Sequence, residues 1–455
     1  MAERRESQFQ EMLELLRSDI RENRSSNTPM AGELRTTRVH GMYRVPDVLR
    51  VQNEDAYRPS CVSIGPLWRG RPDLVEMEAV KKRYMGELLE RNGTLAATVL
   101  AECTEAMFNL MSRVMECYSQ RYGDDFYSVR DMACMVIDGC FIIELLYKNY
   151  VPVIETWMSD PFLQNHLKYD QVRRDLLLLE NQIPFFVLDE LFKLTVEPIP
   201  DSTTISGRPV SLRRCVVSFF GDMMMRRENI GGEIENLENN FPYHILHFLH
   251  ICYQSPLQKA PKWYQHKEKT TLKYSATKLQ SVGVKFGPRI RRESLFDLKF
   301  STDRCCFWLW RRAHFQIPRF SINRSTELLL RNLIALELCC AGVNQYFTSY
   351  AVAMSILLDS AEDVELLEEA GVISNTLGYS EKVSELFKNI TSEESIVSNQ
   401  FHFYNDLWME VRDFCTPWRL ALANANTQMA VAFAIILNLI TLLSSIYTVL
   451  SYYRN

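Results

Sequence analysis

The chain has 455 residues, of which 47% are hydrophobic and 24% charged, which is typical of a globular protein with one large domain or two or three smaller ones. This composition excludes wholesale disorder, a collagen-like fibre and a small scaffold held together by disulfides. The 56 acidic residues outnumber the 51 basic ones and give a net charge of −5. Because nucleic-acid-binding proteins usually carry a basic excess, we expect no nucleic-acid partner.

Residues 1–40 predict a short amphipathic helix followed by a linker at Ser25–Pro29. Its apolar residues recur at spacings of four, three and four, which places them on one helix face. They are Phe9, Leu13, Leu16 and Ile20. The pattern leaves two interpretations open, since the helix can dock on the body or pair with a second copy to form a homo-oligomer.

We interpret residues 41–419 as one mostly helical domain, because only 17 glycines are present and long windows carry a helical period. The predicted helices are Leu74–Arg91, Asp131–Tyr150, Ser325–Cys340, Asp363–Ala370 and Ser380–Phe387. In the first helix the apolar residues alternate with the polar residues Lys81, Lys82, Arg83 and Glu87. The second helix is apolar nearly all round, which predicts a central position in the fold.

Short stretches rich in β-branched or aromatic residues predict a small sheet packed on this helical body. They are Val284–Gly287, Ser294–Phe300 and Phe315–Ile322. The predicted fold class is therefore mainly α, with a large helical domain, a small β-sheet element and one C-terminal transmembrane helix.

Residues 420–455 predict a membrane anchor. No charged residue occurs within 420–453, and the apolar run Met429–Leu450 would form a helix about 33 Å long, against about 30 Å for the hydrocarbon core. Asn438 is tolerable there because its amide can bond to the helix's own backbone or to a neighbouring helix. We expect one span with the lipid bilayer as partner, and the alternative interpretation is a buried core helix. The residues that mark this anchor are Met429, Asn438 and Leu450.

The expected location is the plasma membrane or an endomembrane, with the body in the cytosol. A C-terminal anchor without a leading signal implies insertion after synthesis. The 12 cysteines form no CxxC pair, which fits a reducing compartment. The glycosylation sequons would matter only if the body were lumenal. They lie at Asn23, Asn92, Asn323 and Asn389.

Residues 175–187, DLLLLENQIPFFV, predict two helices separated by a proline break. Asp175–Asn181 would end the first helix, and Pro184 suits the first turn of the second, Pro184–Leu194. Such a break leaves N–H and C=O groups at the helix ends without partners. We expect these groups to be satisfied by Glu180, Asn181 and Gln182.

This run closely resembles the signature of the plant domain of unknown function 247 family. Other segments resemble the family in the same order, from about residue 44 to the C-terminus. They include RVP at 44–46, AYRPSCVSIGPLWRG at 56–70, MVIDGCFIIELL at 135–146, SLFDLKF at 294–300 and EDVELLEEAGVISN at 362–375. We expect structural roles for the family-motif residues Asp138, Gly139, Asp175, Glu180, Asn181, Gln182 and Pro184.

The resemblance implies a mainly helical plant membrane protein with one span. No biochemical activity is established across the family. Some grass members are implicated in self-incompatibility, which implies a role in recognition or signalling.

A search for catalytic chemistry finds no phosphate-binding loop, nucleophile elbow, zinc-protease motif or dinucleotide motif in the sequence. His244, His247 and His250 do not share one helix stripe, since the third lies about 120° around the axis from the first, so we predict no metal site. Cys140 acting with His244 as a nucleophile is disfavoured because an apolar helix raises a thiol's pKa.

We therefore predict a membrane-anchored interaction protein with an unknown protein partner, and we assign no catalytic residue and no cofactor. The alternative is a hydrolase or transferase in which buried acids transfer protons, because burial raises a carboxyl pKa. Acids that converge on an open pocket would favour the enzyme, and ion-paired or capped acids would favour the interaction protein. The acids concerned are Asp138, Glu144, Asp175 and Glu180.

Overall fold

The computed structural model describes residues 8, 10–14, 41–91, 95–122, 128–151, 154–199, 210–225, 241–253, 274–289, 294–303, 312–340, 342–392, 403–417, 419–420 and 425–454. The predicted N-terminal helix face lies outside these residues except for Leu13, which is buried in the helical segment 10–14. The predicted linker at Ser25–Pro29 also lies outside them.

The described α-helices are α1 (Asp47–Arg50), α2 (Glu76–Glu90), α3 (Ala96–Tyr122), α4 (Val129–Tyr150), α5 (Ile154–Ser159), α6 (Pro161–Gln164), α7 (His166–Asp175), α8 (Phe185–Thr195), α9 (Leu212–Phe220), α10 (Ile245–Cys252), α11 (Ala276–Ser281), α12 (Thr326–Cys339), α13 (Tyr346–Leu357), α14 (Ala361–Glu369), α15 (Ser380–Ile390), α16 (Asn405–Phe414) and α17 (Ala425–Arg454). The described strands are β1 (Val284–Arg289), β2 (Lys299–Thr302), β3 (Ala313–Pro318), β4 (Phe320–Ile322) and β5 (Ile373–Asn375). The predicted fold class is confirmed, since the fold is mainly α with a small sheet and one long apolar C-terminal helix.

The chain divides into two compact units. Unit 1 comprises Met1–Gln258, Ser321–Thr348 and Ser392–Ile396. Unit 2 comprises Lys259–Phe320, Ser349–Thr391 and Val397–Asn455. The predicted boundaries after residues 40 and 419 stay predictions.

Unit 1 is built around α4. This helix begins at a capping box, in which the Ser128 hydroxyl accepts the Asp131 N–H and the Asp131 carboxylate accepts the Ser128 N–H. All residues from Met135 to Lys148 are buried, and the helix packs against α2, α3, α8 and α9. The prediction that this helix is central is therefore confirmed.

Unit 2 contains a three-stranded sheet in the order β1-β3-β2, with β1 parallel and β2 antiparallel to β3. Phe315 in the middle of β3 is fully buried and lies opposite Phe286 on one side and Phe300 on the other. Such aromatic cross-strand pairs stabilise a sheet. Next to the sheet, α11 contacts β1 and α16 contacts β2.

Two of the predicted strands are wrong in part. Ser294–Phe300 is strand only from Lys299 onward, because the Ser294 hydroxyl and carbonyl accept the N–H groups of Phe296 and Asp297 and close a turn. Phe315–Ile322 is two strands rather than one. β3 ends at Pro318, which has no N–H to continue a ladder, and β4 begins at Phe320.

The five predicted helices are present as α2, α4, α12, α14 and α15, with ends within three residues of those predicted. α3, with 27 residues, is not among the predicted helices.

In α17 the stretch Met429–Val449 has a mean hydropathy of 2.3 and none of it is buried in the protein. It is the one helix among the described residues that is long and apolar enough to cross a membrane. The side chain of Leu450 lies outside the described residues.

A glycine-to-alanine pair tests the close contact between α4 and α8. A Cβ at Gly139 would lie 2.5 Å from Leu191 Cδ1, whereas a Cβ at Gly86 in α2 meets nothing within 4 Å. Both variants gain about 1 kcal/mol of helix propensity, but Gly139→Ala also overpacks the core at a cost of about 1–3 kcal/mol.

We therefore expect Gly139→Ala to be at least about 1 kcal/mol less stable than Gly86→Ala in urea unfolding of the full chain in detergent, followed by circular dichroism. Equal free energies of unfolding for the two variants would contradict the close approach.

Candidate functional site

The family-motif residues of unit 1 surround one irregular stretch of chain, Ser60–Gly65, which we call the inserted segment. Ser60 is exposed, Cys61 is half-buried, and the residues from Val62 to Gly65 are buried. The segment belongs to no helix or strand, so its N–H and C=O groups need partners from elsewhere.

Asp175, the last residue of α7, supplies the first set of partners. Its Oδ1 accepts the Ser60 N–H at 2.9 Å, and its Oδ2 accepts the N–H groups of Cys61 and Val62 at 2.7 and 2.9 Å. Burial raises the pKa of this carboxyl, while the hydrogen bonds from the three N–H groups act in the opposite direction. The carboxylate therefore accepts the N–H groups that the carbonyls of a neighbouring strand would accept in a sheet.

Asn181 continues this pairing with both ends of its amide. Its Oδ1 accepts the Ile64 N–H at 2.7 Å, and its Nδ2 donates to the carbonyls of Val62 and Asp175, each at 3.0 Å. No other side chain of similar size offers an acceptor and two donors in this arrangement. Asn181 is fully buried, so each of these groups would otherwise have no partner in the core.

Asp138 in α4 and Lys81 in α2 hold the far end of the inserted segment. Asp138 Oδ2 accepts the Gly65 N–H at 2.9 Å, and its Oδ1 lies 2.7 Å from Lys81 Nζ, which also donates to the Ser63 carbonyl. Burial alone would lower the pKa of Lys81, but the attraction of Asp138 and Glu78 outweighs it and raises the pKa. Lys81 is therefore a buried ammonium with oxygen partners on Asp138, Glu78 and Ser63.

Gly65, the last residue of the inserted segment, occupies a backbone conformation that requires glycine. Its φ is +69°, a region that favours glycine, and a Cβ there would lie 2.6 Å from the Gln182 carbonyl oxygen.

The predicted helix end at Asp175–Asn181 is wrong, because α7 stops at Asp175 and the next helix, α8, begins at Phe185 with Pro184 as its N-cap. The turns between these two helices are stabilised by hydrogen bonds from one of their own side chains. Gln182 Nε2 donates to the carbonyls of Leu176 and Leu178 at 2.7 and 2.9 Å. The chain leaves the helix nine residues before the proline, so side-chain partners for the backbone, rather than Pro184, explain the break.

The other two acids considered for proton transfer, Glu180 and Glu144, are also bonded to nearby groups. Glu180 accepts the Val45 N–H at 2.7 Å and forms an ion pair with Arg50. Glu144 in α4 forms an ion pair with Arg91, and Lys148 Nζ lies 3.8 Å from its Oε1. Each of the four acids considered for proton transfer is therefore engaged by backbone N–H groups or cations.

The three histidines of HILHFLH are also used by hydrogen bonds. His244 is the N-cap of α10, where its Nδ1 accepts the His247 N–H at 3.2 Å, and His247 Nδ1 accepts the Tyr243 N–H at 3.0 Å. His250 Nε2 lies 2.8 Å from Glu337 Oε1. A ring nitrogen that accepts an N–H must be unprotonated, and burial lowers the pKa of His244 to about 3.

Within the described part of the chain, no three His, Cys, Asp or Glu residues are grouped so that they could hold a metal ion. Burial raises the pKa of Cys140 well above its ordinary value, which keeps this thiol protonated and unreactive.

A pocket of about 550 Å³ also lies in unit 1. Arg113 lies over the Phe186 ring inside it, with 3.9 Å from the guanidinium carbon to the ring centroid. Its described lining residues are Gly41, Met42, Arg113, Glu116, Cys117, Phe186, Asp189, Phe241, Pro242 and Tyr243. None of the four acids considered for proton transfer belongs to this lining.

Sequence reasoning identified the motif side of this site but missed the inserted segment and Lys81. The alternation of apolar and polar residues in this helix places Lys81 among the polar positions, yet it lies four residues after Met77 and three before Tyr84, in the middle of the apolar face. This spacing could have identified Lys81 as a buried cation in need of a buried acid.

Comparison with known proteins places these residues in a family context. The model of the family designated DUF247, plant proteins of unknown function, matches residues 42–450. The chain is 27% identical over 455 residues to UPF0481 protein At3g47200 of Arabidopsis thaliana, a match that covers 90% of this chain and 86% of the relative. It is 23% identical over 430 residues to Putative UPF0481 protein At3g02645 of the same plant, covering 77% and 78%. No solved structure matches.

Asp175→Asn tests the inserted segment. An amide nitrogen in place of one carboxylate oxygen cannot accept an N–H, so buried donors lose their partner and we expect a loss of about 2–4 kcal/mol in the free energy of unfolding. Amide exchange at Cys61 and Val62 should also become faster. The matched control is Asp73→Asn, where a 44% exposed side chain pairs with Arg58 and Arg71 at the surface.

The control should change the free energy of unfolding by less than about 1 kcal/mol. If both variants are equally stable, the backbone contacts of Asp175 contribute nothing specific.

The lowered pKa of His244 predicts how the free energy of unfolding depends on pH. The pKa of His244 is about 3 in the folded chain against an ordinary value of 6.5, so the unfolded chain binds protons that the folded chain excludes. The contribution of neutral His244 to the free energy of unfolding is complete above pH 6.5 and is lost as the pH falls toward 3. At pH 5 this loss is about 2 kcal/mol.

His244→Asn keeps an N-cap acceptor but does not titrate. The fall in unfolding free energy from pH 7 to pH 5, measured by urea titration, should therefore be about 2 kcal/mol smaller in this variant than in the wild type. An identical fall in both proteins would show that His244 is not held neutral.

Proposed function

The chain belongs to the DUF247 family of plant proteins of unknown function, as its motifs indicated, and from this premise we propose that it is a membrane-anchored recognition protein. In this proposal α17 crosses the bilayer once, and the folded units present a surface to a protein partner on the cytosolic side of the plasma membrane or an endomembrane. The proposal joins two separate features, an apolar helix and a set of fully engaged acids.

The single observation that carries the proposal is the exposure of α17. Its apolar stretch Met429–Val449 has 21 residues, about 32 Å of helix, and none of it is covered by protein. Soluble proteins rarely leave so large an apolar surface in water, and a hydrocarbon layer about 30 Å thick matches its length. Its exposed large residues include Met429, Phe433, Ile436, Ile440 and Leu443.

The acids support recognition over catalysis. A general acid or base must reach substrate, yet Asp138, Asp175 and Glu180 are buried and bonded to backbone N–H groups of the same unit. Glu144 is buried against Arg91. These contacts fit a structural role, so no specific observation favours the hydrolase or transferase alternative.

Two described sequons support the cytosolic placement. Asn323 Nδ2 donates to the Asp222 carbonyl at 3.3 Å, and its Oδ1 accepts the Ser325 N–H at 2.8 Å. Asn389 lies inside helix α15. Asn323 is half-buried in the turn before α12 with both ends of its amide hydrogen-bonded, whereas a glycosylation acceptor usually lies free in an open loop.

Anchoring would serve recognition because confinement to a surface raises the local concentration of both partners, so that a modest affinity is sufficient. A role in signalling or self-incompatibility, as implied for some family members, is an extension of this proposal.

Two charges in the apolar stretch test the anchor. Ile436→Lys with Leu443→Lys costs about 5–7 kcal/mol of insertion free energy, which should release the full chain from membranes into the supernatant during carbonate extraction. The matched control, Ile436→Leu with Leu443→Ile, should stay in the pellet with the wild type. A wild-type chain that washes off as a soluble monomer would refute the anchor.

Protease added outside sealed microsomes tests the placement of the body. We expect loss of an epitope tag placed at the N-terminus, because the body faces the cytosol. Protection of the tag, together with a glycosidase-sensitive mass shift that Asn323→Gln removes, would place the body in the lumen instead.

A further inference from the structure

The apolar stretch of α17 has two different faces, because its polar side chains gather on one side. At 100° per residue, Asn438, Thr441, Ser445 and Thr448 fall within about 80° of the helix circumference, and Ser444 lies about 40° beyond Thr448. The opposite face carries large apolar side chains. These include Phe433, Ile436, Ile440, Leu443 and Tyr447.

The hydroxyls on the polar face already have acceptors within the helix. Thr441 Oγ1 donates to the Leu437 carbonyl at 2.7 Å and Ser445 Oγ to the Thr441 carbonyl at 2.8 Å, each four residues back. Such hydroxyls are compatible with lipid, since their protons are satisfied without a second helix.

Asn438 is different because its carboxamide has more hydrogen-bonding groups than one helix can satisfy. Its Nδ2 donates to the Ala434 carbonyl at 2.8 Å, and within the described residues no other hydrogen bond is made by this side chain. An amide has two donor protons and an acceptor oxygen, so one N–H and the oxygen face the surroundings. Acyl chains cannot bond to them, and an unsatisfied polar group in hydrocarbon is costly.

We propose that the polar face of α17 binds the same face of a second copy of this chain, with Asn438 bonded to Asn438 across a parallel dimer. The inference rests on the proposed membrane anchoring. A second copy is the occupant because a carboxamide is self-complementary, its donor meeting the acceptor of an identical group. In a parallel pair two identical helices cross the bilayer in the same direction, so the two Asn438 residues lie at the same depth in the hydrocarbon.

The spacing supports the same pairing. Residues 434, 438, 441, 445 and 448 follow each other at intervals of four, three, four and three, the repeat at which two helices stay in contact along a left-handed crossing. Ala434, Thr441 and Ser445 are small enough to let the two backbones approach closely beside Asn438.

The test uses the purified full chain, labelled with donor and acceptor dyes and reconstituted in phosphatidylcholine vesicles. Energy transfer at increasing lipid dilution gives the association constant. We expect Asn438→Leu to weaken association roughly 3- to 30-fold, the range for one interhelical hydrogen bond, and Asn438→Gln to retain association close to that of the wild type.

A cysteine pair tests the face. The span Met429–Val449 contains no cysteine, so Ser445→Cys should give disulfide-linked dimers under mild oxidation beyond those of the wild type, while Leu443→Cys on the opposite face should not. Equal cross-linking of both variants, or unchanged energy transfer in Asn438→Leu, would overturn the dimer. Absence of association in the pure wild-type chain would also overturn it and would leave a different membrane protein as the partner of Asn438.

Flotation of the vesicles separates this proposal from the anchor. A chain that floats with the lipid but does not associate overturns only the dimer, whereas a chain that does not float overturns both.

Discussion

The requirement that every buried backbone N–H and C=O group find a partner determines the centre of unit 1. The inserted segment enters the core without a neighbouring strand, so side chains replace the ladder that a sheet would supply. Asp175, Asn181 and Asp138 accept its N–H groups, and Lys81 and Asn181 donate to its carbonyls. The side chains of the family motif around residue 175 therefore form hydrogen bonds with the backbone of the inserted segment. These bonds account for the burial of its acids.

The fold class and the principal helices could be predicted from the sequence because they depend on local periodicity, as in α4 and α12. The contacts of the motif could be predicted only where they are local. Gln182 bonds to carbonyls four and six residues away, which fits the expected role in the break between two helices. The contacts of Asp175 and Asn181 with the inserted segment span 113 to 119 residues, and no spacing in the sequence indicates which segment fills such a gap. Lys81 lay on a predictable face, but its burial conflicts with the ordinary preference of lysine for water.

The same requirement for hydrogen-bond partners would apply to α17 in the bilayer position proposed for it. Inside unit 1 an asparagine such as Asn181 uses both ends of its amide within one copy of the chain. In α17, Asn438 has one partner in its own helix, and a bilayer offers no other. The proposals of recognition and of self-association rest on these two observations, the bonded acids of unit 1 and the partly bonded amide of Asn438.

The separation of the inserted segment from its receptors also orders the events of folding. Loops of more than a hundred residues must close before Cys61 or Val62 meets Asp175, and closing them costs entropy that these hydrogen bonds alone cannot repay until the receptors are already in place. We therefore expect the hydrogen bonds of Ser60–Gly65 to form late in folding, after the helices around α4 have packed.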